Sequence, residues 1–121
     1  MTVVDGSEIE MTPLEGRRSG DPLRTVDSDS SVRIVDLDPG ATRTAHRHPH
    51  SEEIVVVVSG TGSVWIDGTL TEVTAGDVVR IPTGAAHATV PNEPMRLHCF
   101  FPHPELTHNM ETTDIVVTEN T

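Results

Sequence analysis

From Ser31 to Phe101 the chain repeats one pattern: a run of four to seven residues rich in Val, Ile and Thr, then a cluster of Gly, Pro, Asp or Asn, then another run. The runs are Val32–Leu37, Thr42–His48, Glu53–Val58, Ser63–Asp67, Thr69–Val73, Val78–Ile81, His87–Val90 and Met95–Phe101. Each is too short for a helix and is bounded by residues that turn the chain, so each reads as a strand. Asp67-Gly68 is a strong two-residue hairpin signal, and Pro82 closes its strand because it has no ladder donor. Glu53–Val58 is nearly continuous in apolar residues, as expected of a strand covered on both faces. Pro102 and Pro104 stop the regular structure, and the only helical signal is a turn near Glu105 to Met110. Val and Thr contribute 16 residues each, aromatics are 2% and Tyr is absent, a β-sheet composition with a small-residue core. Eight or nine short strands with tight connections predict an all-β fold, a sandwich or small jelly-roll barrel with little or no helix.

At 121 residues and 13.1 kDa the chain can fill one core and is too short for two. Residues 1–24, punctuated by Pro13, Gly16, Gly20 and Pro22, read as a loose N-terminal arm. Val3-Val4 and Ile9-x-Met11 have the modest β patterning of an edge strand. Residues 25–121 form the barrel domain. Arg17-Arg18 is too brief for a nucleic-acid patch, and a net charge of −11 with a pI near 4.8 repels both nucleic acid and anionic membrane. Single Cys99 forms no internal disulfide, the N-terminus lacks a basic region followed by an apolar run, and no stretch has membrane-spanning length; a cytoplasmic protein is expected.

Chemistry concentrates between Gly40 and Gly60. His46 and His48 stand two apart, which places both imidazoles on one face of an extended strand. Glu53 follows on the next run. Further on, the turn Pro82-Thr83-Gly84 precedes His87, so a fourth donor can return toward the first pair from a separate element.

These stretches resemble the two consensus motifs of the cupin superfamily, Gly-x5-His-x-His-x3-4-Glu-x6-Gly and Gly-x5-Pro-x-Gly-x2-His-x3-Asn. Gly40, His46, His48, Glu53 and Gly60 meet the first at every fixed position; Gly76, Pro82, Gly84 and His87 meet the second. Its terminal Asn is absent, since position 91 is Pro and Asn92 lies one place later. The resemblance spans about residues 32 to 101. It implies a small single-domain cupin with the same jelly-roll architecture, whose ligands for one divalent transition metal ion are His46, His48, Glu53 and His87. A mixed imidazole and carboxylate set suits Fe, Mn, Ni, Co or Zn, and affinity order alone does not choose among them. Octahedral coordination leaves two positions open for water, dioxygen or a chelating substrate. The resemblance and the exposed strand edges together imply a homodimer.

His50 and Glu52 adjoin the ligand set, and a shift of one or two residues would bring either into it. With Tyr absent, they are also the candidate catalytic residues for proton transfer beside the metal. Arg80 and Arg96 are the candidate substrate-binding residues: if either points inward, its guanidinium is a ready counter-ion for a carboxylate. His98, Cys99, His103 and His108 read as packed or solvated, and Trp65 as a packing residue. Two functions are consistent with this pattern. The first is a metal-dependent enzyme, of oxygenase, isomerase, cyclase or lyase type, acting on a small oxygen-rich or carboxylate-bearing molecule. The second is a non-catalytic metal-containing module that binds or senses a small ligand.

Overall fold

Two antiparallel sheets account for nearly all the regular structure of residues 1–118, which a computed structural model describes. The strands are β1 (Thr12–Leu14), β2 (Arg17–Gly20), β3 (Ser31–Leu37), β4 (Arg43–Arg47), β5 (Glu53–Ser59), β6 (Thr61–Ile66), β7 (Thr69–Thr74), β8 (Val78–Ile81), β9 (His87–Pro91), β10 (Met95–Phe101) and β11 (Glu111–Val117). One sheet has the order β1-β2-β3-β10-β5-β8 and the other β11-β4-β9-β6-β7. The chain crosses between the sheets at seven of its ten connections, the jelly-roll arrangement expected from the run of short strands. No helix of the described residues is long and apolar enough to cross a membrane.

Period-two alternation puts the core between the sheets. Along β10, Met95, Leu97, Cys99 and Phe101 are buried while Arg96 and Phe100 are exposed; along β5, Glu53, Val55 and Val57 are buried. Val58 is 42% exposed, so β5 is not covered on both faces as its apolar run suggested. A run of valines satisfies β propensity whether or not its second face is packed. The Asp67-Gly68 hairpin forms as read, with Ile66 paired to Thr69 and both loop residues at positive φ, 44° and 95°, the geometry that matches strand twist.

Two elements differ from the sequence reading. Strand β11 lies beyond the prolines that end β10, paired to β4 after a 3-10 turn at Thr107–Asn109. Its Thr112, Thr113, Ile115, Val116 and Val117 carry ordinary β propensity, but the pairing is interrupted between Thr112 and Val116. Thr113 Oγ1 bridges that gap by donating to the Ala45 carbonyl at 2.7 Å. In the arm, Val3 is 80% exposed, and the strands form instead at β1 and β2, a hairpin in which Arg17 pairs with Leu37 of β3.

Candidate metal centre

Strand β4 presents His46 to the space between the sheets, directly across from His87, the first residue of β9. His48 lies one residue past the end of β4 with the same parity, and Glu53 opens β5 on the face that continues as Val55 and Val57. The Pro82–Gly84 turn is tied to this wall: Gly84 N–H donates to the His48 carbonyl at 2.8 Å, and Ala85 N–H to Pro82 at 3.1 Å. The second histidine-bearing stretch is thereby held against the first. Donor atoms of His46, His48, Glu53 and His87 all lie within 4.8 Å of one another.

The hydrogen bonds around the imidazoles decide which nitrogens are free. His48 Nδ1–H donates to the Asn109 carbonyl at 2.7 Å and His87 Nδ1–H to the Ala85 carbonyl at 2.9 Å. A carbonyl only accepts, so Nδ1 carries the proton on both rings and the neutral ring turns a lone pair at Nε2 toward the centre. Glu53 Oε1 lies 3.2 Å from His48 Nε2 and 2.9 Å from His87 Nε2, yet all three atoms are buried without a hydrogen-bond partner. Three acceptors facing one point require a proton or a cation between them. Ligand bonds of about 2.1 Å place neighbouring donors about 3 Å apart, so the spacing and the donor chemistry fit a divalent transition metal.

Electrostatics prepare the same state. Burial, reinforced by His87 and His48, lowers the His46 pKa to about 3, so this imidazole is neutral at pH 7. Burial works to raise the Glu53 carboxyl, but the His48 and His87 imidazoles that face it outweigh burial and hold the group below the usual carboxylate range. Cys99 faces the same region, and burial followed by the Glu53 charge pushes its thiol well above the ordinary range. It is a neutral thiol there.

The remaining sequence candidates lie elsewhere. Arg80 and Arg96 both point outward: Arg80 pairs with Glu52 at 2.7 Å and Arg96 with Asp36 at 2.7 Å, their side chains 63% and 44% exposed. The reason is parity, since Val79 and Ile81 flank Arg80, Met95 and Leu97 flank Arg96, and in each case these apolar neighbours pack into the core and own the inner face. Glu52 is drawn to the same outer face, and His50 is an exposed loop residue stacked on His103 with ring centroids 5.6 Å apart. Neither lines the cavity.

Residues that sequence reasoning did not single out do line it. A cavity of ≈ 90 Å³ beside the four donors is bounded also by Arg17, Arg33, Arg43, Cys99 and Phe101, with Phe101 against His48 at a centroid distance of 4.7 Å. Arg33 was legible, because it shares the parity of Val35 and Leu37; Arg17 was not, because β2 had no signal of its own. Asn109, 1% exposed, was also missed. Its side chain accepts from His50 N–H at 2.8 Å and donates to Ser51 Oγ at 2.8 Å, so it clamps the loop that carries His48.

Two facing antiparallel sheets closed over three imidazoles and a carboxylate define a jelly-roll barrel protein with a candidate metal centre on its inner wall. Residues 33–101 match the cupin domain family, and the chain belongs to that family. Among solved structures it is similar to oxalate decarboxylase from Lactobacillus farciminis in a formate complex, with 25% identity and a TM-score of 0.74 over 88% of this chain and 34% of that one. It is also similar to KdgF from Halomonas sp., with 25% identity and a TM-score of 0.74 over 87% of this chain and 96% of that one. Oxalate decarboxylase from Bacillus subtilis, 24% identical with a TM-score of 0.75, shares the fold over 88% of this chain and 30% of its own. The chain thus spans about a third of the oxalate decarboxylases and nearly all of KdgF. Comparison of the sequence with curated proteins finds no match.

Proposed function

We propose that this protein is a metal-dependent cupin enzyme in which His46, His48, Glu53 and His87 hold one divalent transition metal and a small carboxylate-bearing molecule is the substrate. The observation that carries this reading is the convergence of three buried, unpartnered acceptors, His48 Nε2, His87 Nε2 and Glu53 Oε1, on one point. The likeness to a decarboxylase of oxalate crystallised with formate supports a carboxylate substrate. When bound, the metal supplies Lewis acidity, polarising an oxygen of the substrate. The protein's own part is to orient and exclude: carbonyls of Asn109 and Ala85 fix the imidazole tautomers, Phe101 and Val55 keep the inner wall apolar, and Arg17, Arg33 and Arg43 bring positive charge to the cavity. Beyond the four ligand candidates, no carboxylate or imidazole lines the cavity among the described residues. Charge stabilisation, with little proton transfer by side chains, is therefore the chemistry these residues support.

That same shortage of proton carriers favours a second reading, a metal-containing module that binds a small carboxylate without turning it over. Metal analysis of protein purified without chelators tests the first step, with about one ion per chain expected. Calorimetric titration of glycolate or lactate into metal-loaded and metal-free protein tests the second, and affinities independent of metal would overturn the Lewis-acid role. Oxygen uptake and product analysis with a panel of small hydroxy and oxo acids then separate oxygenase chemistry from redox-neutral isomerisation, cyclisation or lysis; binding without turnover selects the module.

A further inference from the structure

Arg17 and Arg33 line the ≈ 90 Å³ cavity beside the four donors, and strand pairing explains why. Arg17 stands opposite Leu37, and Arg33 opposite Cys99. Both partners face the core, so both guanidiniums leave the sheet on its inner side. Arg18, Arg24, Arg80 and Arg96 each have a carboxylate within 3.5 Å, whereas the side chains of Arg17 and Arg33, like that of Arg47 away from the cavity, have no hydrogen bond or ion pair among the described residues. Counter-ions are not scarce, since Asp and Glu outnumber Lys and Arg 19 to 8. Burial and the neighbouring Arg33 both work against the charge on Arg17, and two adjacent, partly desolvated cations without a counter-ion are costly. Arg43 instead serves as a fastener, because its Nη2 donates to the Gly16 and Asp38 carbonyls, tying the β1–β2 turn to β4 and holding Arg17 at the mouth. Arg17, Arg43 and His46 also line an outer cleft of ≈ 300 Å³, so Arg17 lies between solvent and the metal centre.

We infer that Arg17 and Arg33 form a second anion subsite and that the ligand is a small dianion, one end chelating at the His46, His48, Glu53 and His87 cluster and a second carboxylate held by the two guanidiniums. This rests on the reading of that cluster as a metal centre. The cavity is small, and the lining that it shares with the outer cleft at Arg17, Arg43 and His46 puts the far end of a ligand of a few carbons beside the arginines.

Malate and 2-hydroxybutyrate test it, because both have four carbons and a 2-hydroxy acid end and differ in the far carboxylate. Each is titrated calorimetrically into metal-loaded protein, with metal content measured on the same samples. The expected result is at least about tenfold tighter binding of malate, the scale of a charge-assisted hydrogen bond. In Arg17→Gln and in Arg33→Gln the ratio falls to within about twofold of unity, malate losing far more affinity than 2-hydroxybutyrate, while metal content is retained. Arg17→Lys, which keeps the charge and loses the fork, retains part of the ratio and decides the matter should a Gln variant fail to fold. A wild-type ratio near one, no malate binding, or a ratio that survives both Gln substitutions overturns the subsite. Wild-type protein that takes up no metal yet keeps the ratio sinks the metal-centre reading and leaves the arginine subsite standing.

Discussion

Glu53 and Glu52 are adjacent in the chain and opposite in chemistry. Glu53 turns inward at the start of β5 and meets two imidazoles, whereas Glu52 turns outward and pairs with Arg80 on the surface. Glu53→Gln is expected to weaken metal binding by more than the roughly 10- to 100-fold typical of partners outside the ligand set. Glu52→Gln removes an exposed ion pair of about 0.5 kcal/mol and leaves metal affinity within about twofold. Metal titrations of both variants check this, and equal effects would mean that both carboxylates coordinate. His48→Ala is expected to lose most of its metal, because the remaining donors no longer enclose the ion; stoichiometric metal in that variant at pH 7 would show that the ligand set is wrong.

At the scale of elements, the site depends on segments that contribute no ligand. The 3-10 turn at Thr107–Asn109 delivers Asn109 beneath the His48–Ser51 loop, where it makes two side-chain hydrogen bonds and one carbonyl contact to His48. Asn109→Ala leaves His50 N–H without its acceptor and Ser51 Oγ without its donor, so a loss of about 2 kcal/mol in urea denaturation is expected. Metal affinity should fall with it, as His48 loses its anchorage. Gly60, which ends the first motif, has φ +85°, and a Cβ there would stand 2.4 Å from the Pro94 carbonyl oxygen. Gly60→Ala is therefore expected to destabilise by about 3 kcal/mol through backbone strain and the clash with the β9–β10 turn. Thermal denaturation of both variants measures these costs.

For the whole molecule, the buried site sets the pH dependence of stability. The His46 pKa in the folded state is about 3 against an ordinary value of 6.5, so as pH falls the unfolded chain takes up that proton first. Its contribution is fully present above about pH 6.5 and is lost as the pH falls toward 3. Glu53, also held below its ordinary value, has the same sign at lower pH. The melting midpoint of metal-free protein is expected to fall steadily from pH 7 to pH 4, and a midpoint constant over that range would contradict the assignment. At pH 7, saturating metal is expected to raise the midpoint, because a ligand that binds only the folded state stabilises it, and a chelator is expected to reverse the effect.

The chain's residues by themselves determined most of what is local. Turn residues and short β-branched runs specified β3 to β10, Asp67-Gly68 specified its hairpin, and the spacings from Gly40 to Gly60 and from Gly76 to His87 specified the four donors. Strand parity was legible too, and it suffices to turn Arg80 and Arg96 outward and Arg33 inward once the buried neighbours are taken as the inner face. What only the tertiary structure decided is whatever depends on pairing between distant segments. Strand β2 has little β propensity and exists because β3 offers it an edge, which is how Arg17 reaches the cavity. Strand β11 follows two prolines and is located by β4, and that return brings Asn109 under His48. Local preference records how each residue bends the chain; which edges and cavities it then meets is fixed by the closing of the two sheets.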